Sequence, residues 1–131
     1  MADFGTFTAS ILKLLSQVNT WTKTQSAAVT ALTSSAASIA IDLSLSNNFS
    51  HTLTENTTLA APSNAVAGTS GQITFTQHAS AAKTLAFHAN WVSTDGTTPA
   101  ISATVGAVNV LSYYVVDSTH IWFALNKHGV A

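Results

Sequence analysis

The sequence predicts an all-β protein, an antiparallel β-sandwich of jelly-roll type with a short α-helix and arm at its N-terminus. Three observations predict it. Val108 to Leu125 holds two β-branched and aromatic runs around Asp117-Ser118-Thr119, the pattern of an antiparallel hairpin. Leu111, Tyr113 and Val115 alternate on one face of it, and Ile121, Phe123 and Leu125 can answer them across the pair. Upstream, short strand-like runs recur at intervals of roughly 8 to 12 residues with turn signals between them, as in a sandwich or barrel. Finally, Gln72-Ile-Thr-Phe-Thr-Gln77 alternates polar and apolar residues, as a sheet with one wet face requires.

In chain order, Met1 to Thr8 lacks a period and reads as an extended arm. From Ser10 the apolar residues Ile11, Leu14, Leu15 and Val18 recur at helical spacing, with Thr8 or Ser10 to cap the start and Asn19 to close the end. A helix of about three turns is marginal alone, so its stripe needs a partner. The boundaries that follow are residues 1–19 for arm and helix and 20–131 for the sandwich. Strands are expected at Thr20–Gln25, Val29–Thr33, Ser38–Leu43, Phe49–Leu53, Thr57–Ala60, Gln72–Gln77, Thr84–Phe87 and Ala100–Val105, before the closing hairpin. Punctuation falls at Ser34-Ser35, Ser46-Asn47-Asn48, Glu55-Asn56, Pro62-Ser63-Asn64, Gly68 to Gly71, Asp95-Gly96 and Pro99. Ile39, Ile41, Phe49, Leu53, Ile73, Phe75, Leu85 and Phe87, with the inner face of the hairpin, form the expected core.

At 131 residues and 13.6 kDa the chain has the length of one domain, enough to bury a core without cross-links. It contains no Cys, which excludes disulfides and cysteine-based zinc or redox sites. Charged residues make up 7% of the chain, the net charge is -1, and the four basic residues are Lys13, Lys23, Lys83 and Lys127. Four scattered lysines do not make the basic footprint that nucleic acid requires. A small free domain normally carries charge for solubility, so a surface this neutral points to a subunit that buries much of it against copies of itself. No apolar run approaches the ~18 residues of a membrane span, and no signal peptide is expected.

None of the side chains that carry chemistry form a persuasive constellation. His51, His78, His88, His120 and His128 show no metal-ligand spacing, so no metal or cofactor is expected. Of the acids Asp3, Asp42, Glu55, Asp95 and Asp117, Asp42 alone falls inside an expected strand, where it faces solvent or bonds a turn amide. The paired carboxylates of a glycosidase or an oriented Ser/His pair are not indicated, and no catalytic residue is assigned. Trp21, Trp91, Trp122, Tyr113 and Tyr114 could form a sugar-binding platform or serve as core and interface anchors. Tyr113 and Tyr114, adjacent in a strand, must face opposite sides.

Taken in order, Trp21-Thr-Lys-Thr-Gln25, Ile39-Ala-Ile-Asp-Leu43, Asn48-Phe-Ser-His-Thr-Leu53, Asn56-Thr-Thr-Leu-Ala-Ala-Pro62, Ala67 to Gln77, Lys83-Thr-Leu-Ala-Phe87 and Val108 to Leu125 resemble a small β-sandwich module of tailed-bacteriophage virions. The resemblance covers about residues 20 to 126. Such modules occur in tail-fibre and tail-spike proteins and in head fibres or capsid-decorating proteins, commonly as trimers. It implies a non-enzymatic homotrimer on the phage particle surface, made in the host cytoplasm, whose partners are itself and other capsid or tail proteins. The short chain favours capsid decoration or cement over a fibre. A fibre or spike part touching host surface glycan is the alternative, and a carbohydrate-binding module comes third. Phe4, Phe7, Ile11, Leu14, Leu15, Val18 and Trp21 are then the candidate attachment residues. One stretch departs from the pattern: His78-Ala-Ser-Ala-Ala-Lys83 stands where relatives carry an acidic, glycine-rich loop followed by Arg.

Overall fold

The computed structural model describes Thr8 and residues 22–127. Ten strands form there: β1 (Val29–Ala31), β2 (Ser34–Ser35), β3 (Ser38–Ile39), β4 (Asn48–Thr52), β5 (Thr57–Leu59), β6 (Ser70–Thr76), β7 (Leu85–Phe87), β8 (Trp91–Ser93), β9 (Val108–Asp117) and β10 (His120–Lys127). They make a six-stranded sheet, β1-β4-β6-β9-β10-β8, and a four-stranded sheet, β2-β3-β5-β7. The expected all-β sandwich is therefore present. The expected helix over Ser10–Val18 lies outside the described residues.

Pairing within the sheets is mixed, which departs from the antiparallel jelly roll. β2–β3, β6–β9 and β9–β10 are antiparallel, whereas β1–β4, β4–β6, β3–β5, β5–β7 and β8–β10 are parallel. The cause is the path of the chain. After β3 it crosses between the sheets with each strand: β4 enters the larger, β5 the smaller, β6 the larger, β7 the smaller. Strands returning to one sheet after such a circuit run the same way, so the opposite sheet supplies the long crossover that parallel neighbours need. Residues 29–87 thus stack as three coils, and the β9–β10 hairpin closes the larger sheet beside β6.

The hairpin has the expected register: Ile121 faces Val115, Phe123 faces Tyr113 and Leu125 faces Leu111. Its inward side chains meet Phe49, Ile73 and Phe75 from the coils and Ile39, Leu59 and Leu85 from the smaller sheet in one core. Phe87 and Phe123 join the sheets, ring centroids 4.6 Å apart. Trp91 stands edge-on to both Tyr113 and Phe123. Burying a ring of this kind, against truncating it to Ala, is worth about 3–5 kcal/mol.

Four expectations for the strands need correction. Residues 22–25 and Ala100–Val105 form no strand, and β2 and β8 occupy stretches where propensity marks a turn or no element. In the second case side chains take the backbone bonds: Ser102 N–H donates to Asn109 Oδ1 at 2.8 Å, and Ser102 O accepts from Gln77 Nε2 at 3.0 Å. β2 exists because Ala36 and Ala37, with φ of 50° and 58°, turn the chain back after Ser35. Trp91, which begins β8, is drawn inward, its indole N–H donating to Ala60 O at 2.8 Å.

Candidate functional site

The outer face of the six-stranded sheet is the most distinctive surface. Alternation along each strand sends every second residue outward, and the register aligns these residues in rows. One row runs Val29, Asn48, Gln72, Ser112, Ala124, and the next Ala31, Ser50, Thr74, Val110, Asn126. A shorter row holds Thr52, Thr76 and Val108. At the far end, beyond the reach of β1 and β4, lie Ser70, Tyr114, Trp122 and Val92. Not one of these positions carries a charge. Over the coils the face is built mostly of small and polar residues. Over the hairpin it is aromatic: Tyr114 and Trp122 stand directly opposite each other and are 49% and 51% exposed. A shallow recess of about 280 Å³ adjoins them, lined also by Thr94, Ser112 and Ala124.

This divides the five aromatic candidates. Tyr114 and Trp122 stand on the outer face, while Tyr113 and Trp91 are buried. Tyr113 and Tyr114 do face opposite sides, as adjacent strand residues must. Trp21 lies outside the described residues, as do the attachment candidates Phe4, Phe7, Ile11, Leu14, Leu15 and Val18.

The described aspartates sit at turns. Asp117 Oδ1 accepts from the Thr119 N–H at 2.7 Å, the Thr119 hydroxyl at 2.8 Å and the His120 N–H at 2.9 Å, and Oδ2 lies 2.9 Å from His120 Nδ1. These bonds, those from Thr119 foremost, bring its carboxyl down to about 2. Asp42 holds its turn likewise, accepting from Asn64 Nδ2 at 2.8 Å and from the Ser44 hydroxyl and N–H, and its carboxyl is lowered, by Asn64 first. Asp95 accepts from the Ser93 hydroxyl and Thr97 N–H, with the same effect. Each of these three carboxylates is committed to backbone and side-chain donors of its own turn, and Asp42 also to Asn64.

The histidines are dispersed. His51 is buried, its Nδ1 2.8 Å from Leu32 O and its ring edge-on to Phe75, which ties the segment after β1 to β4. His78 Nδ1 accepts from the Ser80 and Ala81 N–H groups. His120 joins Asp117 at the hairpin turn, and His128 lies outside the described residues. Among the described residues there is no group of three or more His, Asp or Glu able to hold a metal ion. Among them, too, no helix is long and apolar enough to cross a membrane.

One pair of organising residues escaped the sequence reading. Gln77, almost fully buried, donates to Lys83 O and Ser102 O and accepts from the His78 and Lys83 N–H groups, all at 2.8–3.0 Å. It fixes both ends of the divergent His78–Lys83 loop. Asn109, also buried, holds Ser102. The signal for Gln77 was its place in β6's alternation, an odd position otherwise apolar: a polar residue in phase with the core must find its partners inside.

Comparison with protein-family models, with curated proteins and with solved structures returns no match to this chain.

Proposed function

We propose that the chain is a non-enzymatic structural subunit of a tailed-bacteriophage particle, a trimeric surface module that decorates or cements the capsid. The observation that carries this reading is the uncharged coil half of the outer face, from Val29 and Ala31 across to Gln72 and Thr74. A face without a charged side chain loses little by desolvation when it meets a neighbouring copy of the chain, and charge depletion marks the centre of buried interfaces. Aspartates held at turns and histidines dispersed over the molecule, rather than converging in a cleft, agree with a structural role. The order of motifs along residues 20 to 126 supplies the phage assignment, and residues 1–19 the attachment segment.

Light scattering of the full chain at low micromolar concentration is expected to report three times 13.6 kDa. Microscopy of intact particles carrying a labelled chain is expected to place it on the capsid. A monomer at all dilutions, or density confined to the tail, would reject the respective half of the proposal. The second reading, a fibre or spike component that touches host glycan, is favoured by the Tyr114–Trp122 pair.

A further inference from the structure

We infer that the recess beside Tyr114 and Trp122 is a saccharide-stacking site for an uncharged sugar ring. The inference goes beyond the subunit role and concerns a different part of the same face. The aromatic row lies past the end of β4, and Ser112 and Ala124 below it continue the row that holds Gln72.

Four observations converge. Tyr114 and Trp122 are cross-strand partners, so their side chains stand side by side, and both are about half exposed. Exposed rings of this size are costly to leave wet unless something covers them. Next along the strands the outward pair is Ser112 and Ala124, whose small side chains leave the recess of about 280 Å³ at the foot of the rings. The rim adds the hydroxyl-bearing Thr94 and Ser112. Last, the row and the recess contain no ionisable side chain apart from the tyrosine phenols, and Asp117 and His120 are occupied with each other at the hairpin turn.

A pyranose has the complementary chemistry. Its axial C–H groups form an apolar patch that lies on an aromatic ring, while its equatorial hydroxyls reach outward to donors and acceptors at the edge. Neutrality selects the ligand class. A sialylated or phosphorylated glycan would bring an anion to a site with no Lys or Arg to pair with it, so a neutral hexose or N-acetylhexosamine is the fitting ligand.

The test uses the full chain with neutral gluco-, galacto-, manno- and N-acetylglucosamine oligosaccharides, and a sialylated oligosaccharide as the charged control. Binding to the parent chain is followed by the NMR signal of the Trp122 indole N–H, assigned by its loss in Trp122→Phe, and binding to the parent and every variant is measured by titration calorimetry. At least one neutral series is expected to shift that signal. Trp122→Ala and Tyr114→Ala should each weaken binding tenfold or more, and Trp122→Phe should retain most of it. Mass and melting temperature should stay unchanged in all three. The inference is overturned if no neutral oligosaccharide shifts the signal, if binding survives Trp122→Ala, or if the sialylated control binds more tightly than its neutral core. A fall in mass of Trp122→Ala would overturn it in favour of a contact between copies. Loss of sugar binding with the trimer intact would leave the structural proposal standing, and the reverse pattern would separate them the other way.

Discussion

At Gly71 the backbone of β6 passes against the Asn47 carbonyl, which accepts from the Gln72 N–H at 2.9 Å and from the Tyr113 hydroxyl at 3.1 Å. A Cβ placed there would overlap that carbonyl and come within 2.7 Å of the Tyr113 oxygen. Gly71→Ala is therefore expected to cost about 1–3 kcal/mol, read as a lower urea midpoint, because backbone and a buried ring must both move. In the sequence Gly71 groups with the turn signals of Gly68 to Gly71, yet its role is close approach inside a strand, which composition cannot distinguish from a turn. Asp117 gives a second expectation at this scale. Its folded-state value of about 2 is below the ordinary 3.8, so its contribution is complete above the unfolded value and is lost as pH falls through the folded one. Asp117→Asn should thus be less stable than the parent above about pH 4, with the gap narrowing toward pH 2, as measured by melting temperature across an acid series.

Among the elements, β6 and the β9–β10 hairpin were legible because their alternation is strict and their turn residues conventional. β2 was not. Its turn is Ala36-Ala37, and alanine carries no turn signal, although both residues occupy the left-handed region that type I′ hairpins require. Each such non-glycine residue stores strain, so Ala36→Asn with Ala37→Gly is expected to raise stability by about 1 kcal/mol, seen as a higher melting temperature. The direction of pairing was equally hidden. Period-2 alternation places a residue inward or outward but does not say which strand lies beside it, and the same runs suit an antiparallel meander and stacked parallel coils. β8 and the Ala100–Val105 stretch were hidden for a related reason. Propensity takes no account of Trp91 finding Ala60 O, or of Gln77 and Asn109 occupying the backbone of Ser102.

For the whole molecule, the charge deficit was plain in the composition, but its concentration into an uncharged face followed from the register of six strands. The aromatic half of the candidate site was partly legible, since adjacent Tyr113 and Tyr114 had to part company. Pairing Tyr114 with Trp122 required the hairpin register. If copies meet on the coil half, a charge at its centre should separate them. If the proposed trimer forms there, Thr74→Lys is expected to give a monomer in light scattering at low micromolar concentration while circular dichroism keeps its strand signature.

The three coils have one more consequence. Their rungs are unequally spaced along the chain, at Val29, Asn48 and Gln72 in one sheet and Ser38, Thr58 and Ala86 in the other, yet each rung is in register. The ladder, not the length of chain between rungs, sets the fit, and surplus residues are shed into the bends between sheets. Between β6 and β7, Gln77 clamps the chain at His78 and Lys83, leaving Ala79 to Ala82 exposed outside the clamp. A foreign peptide grafted between Ala81 and Ala82 would lengthen only that bulge, at a closure cost growing slowly with its length. The fold is in this sense a display scaffold, able to present a new epitope without re-registering a strand.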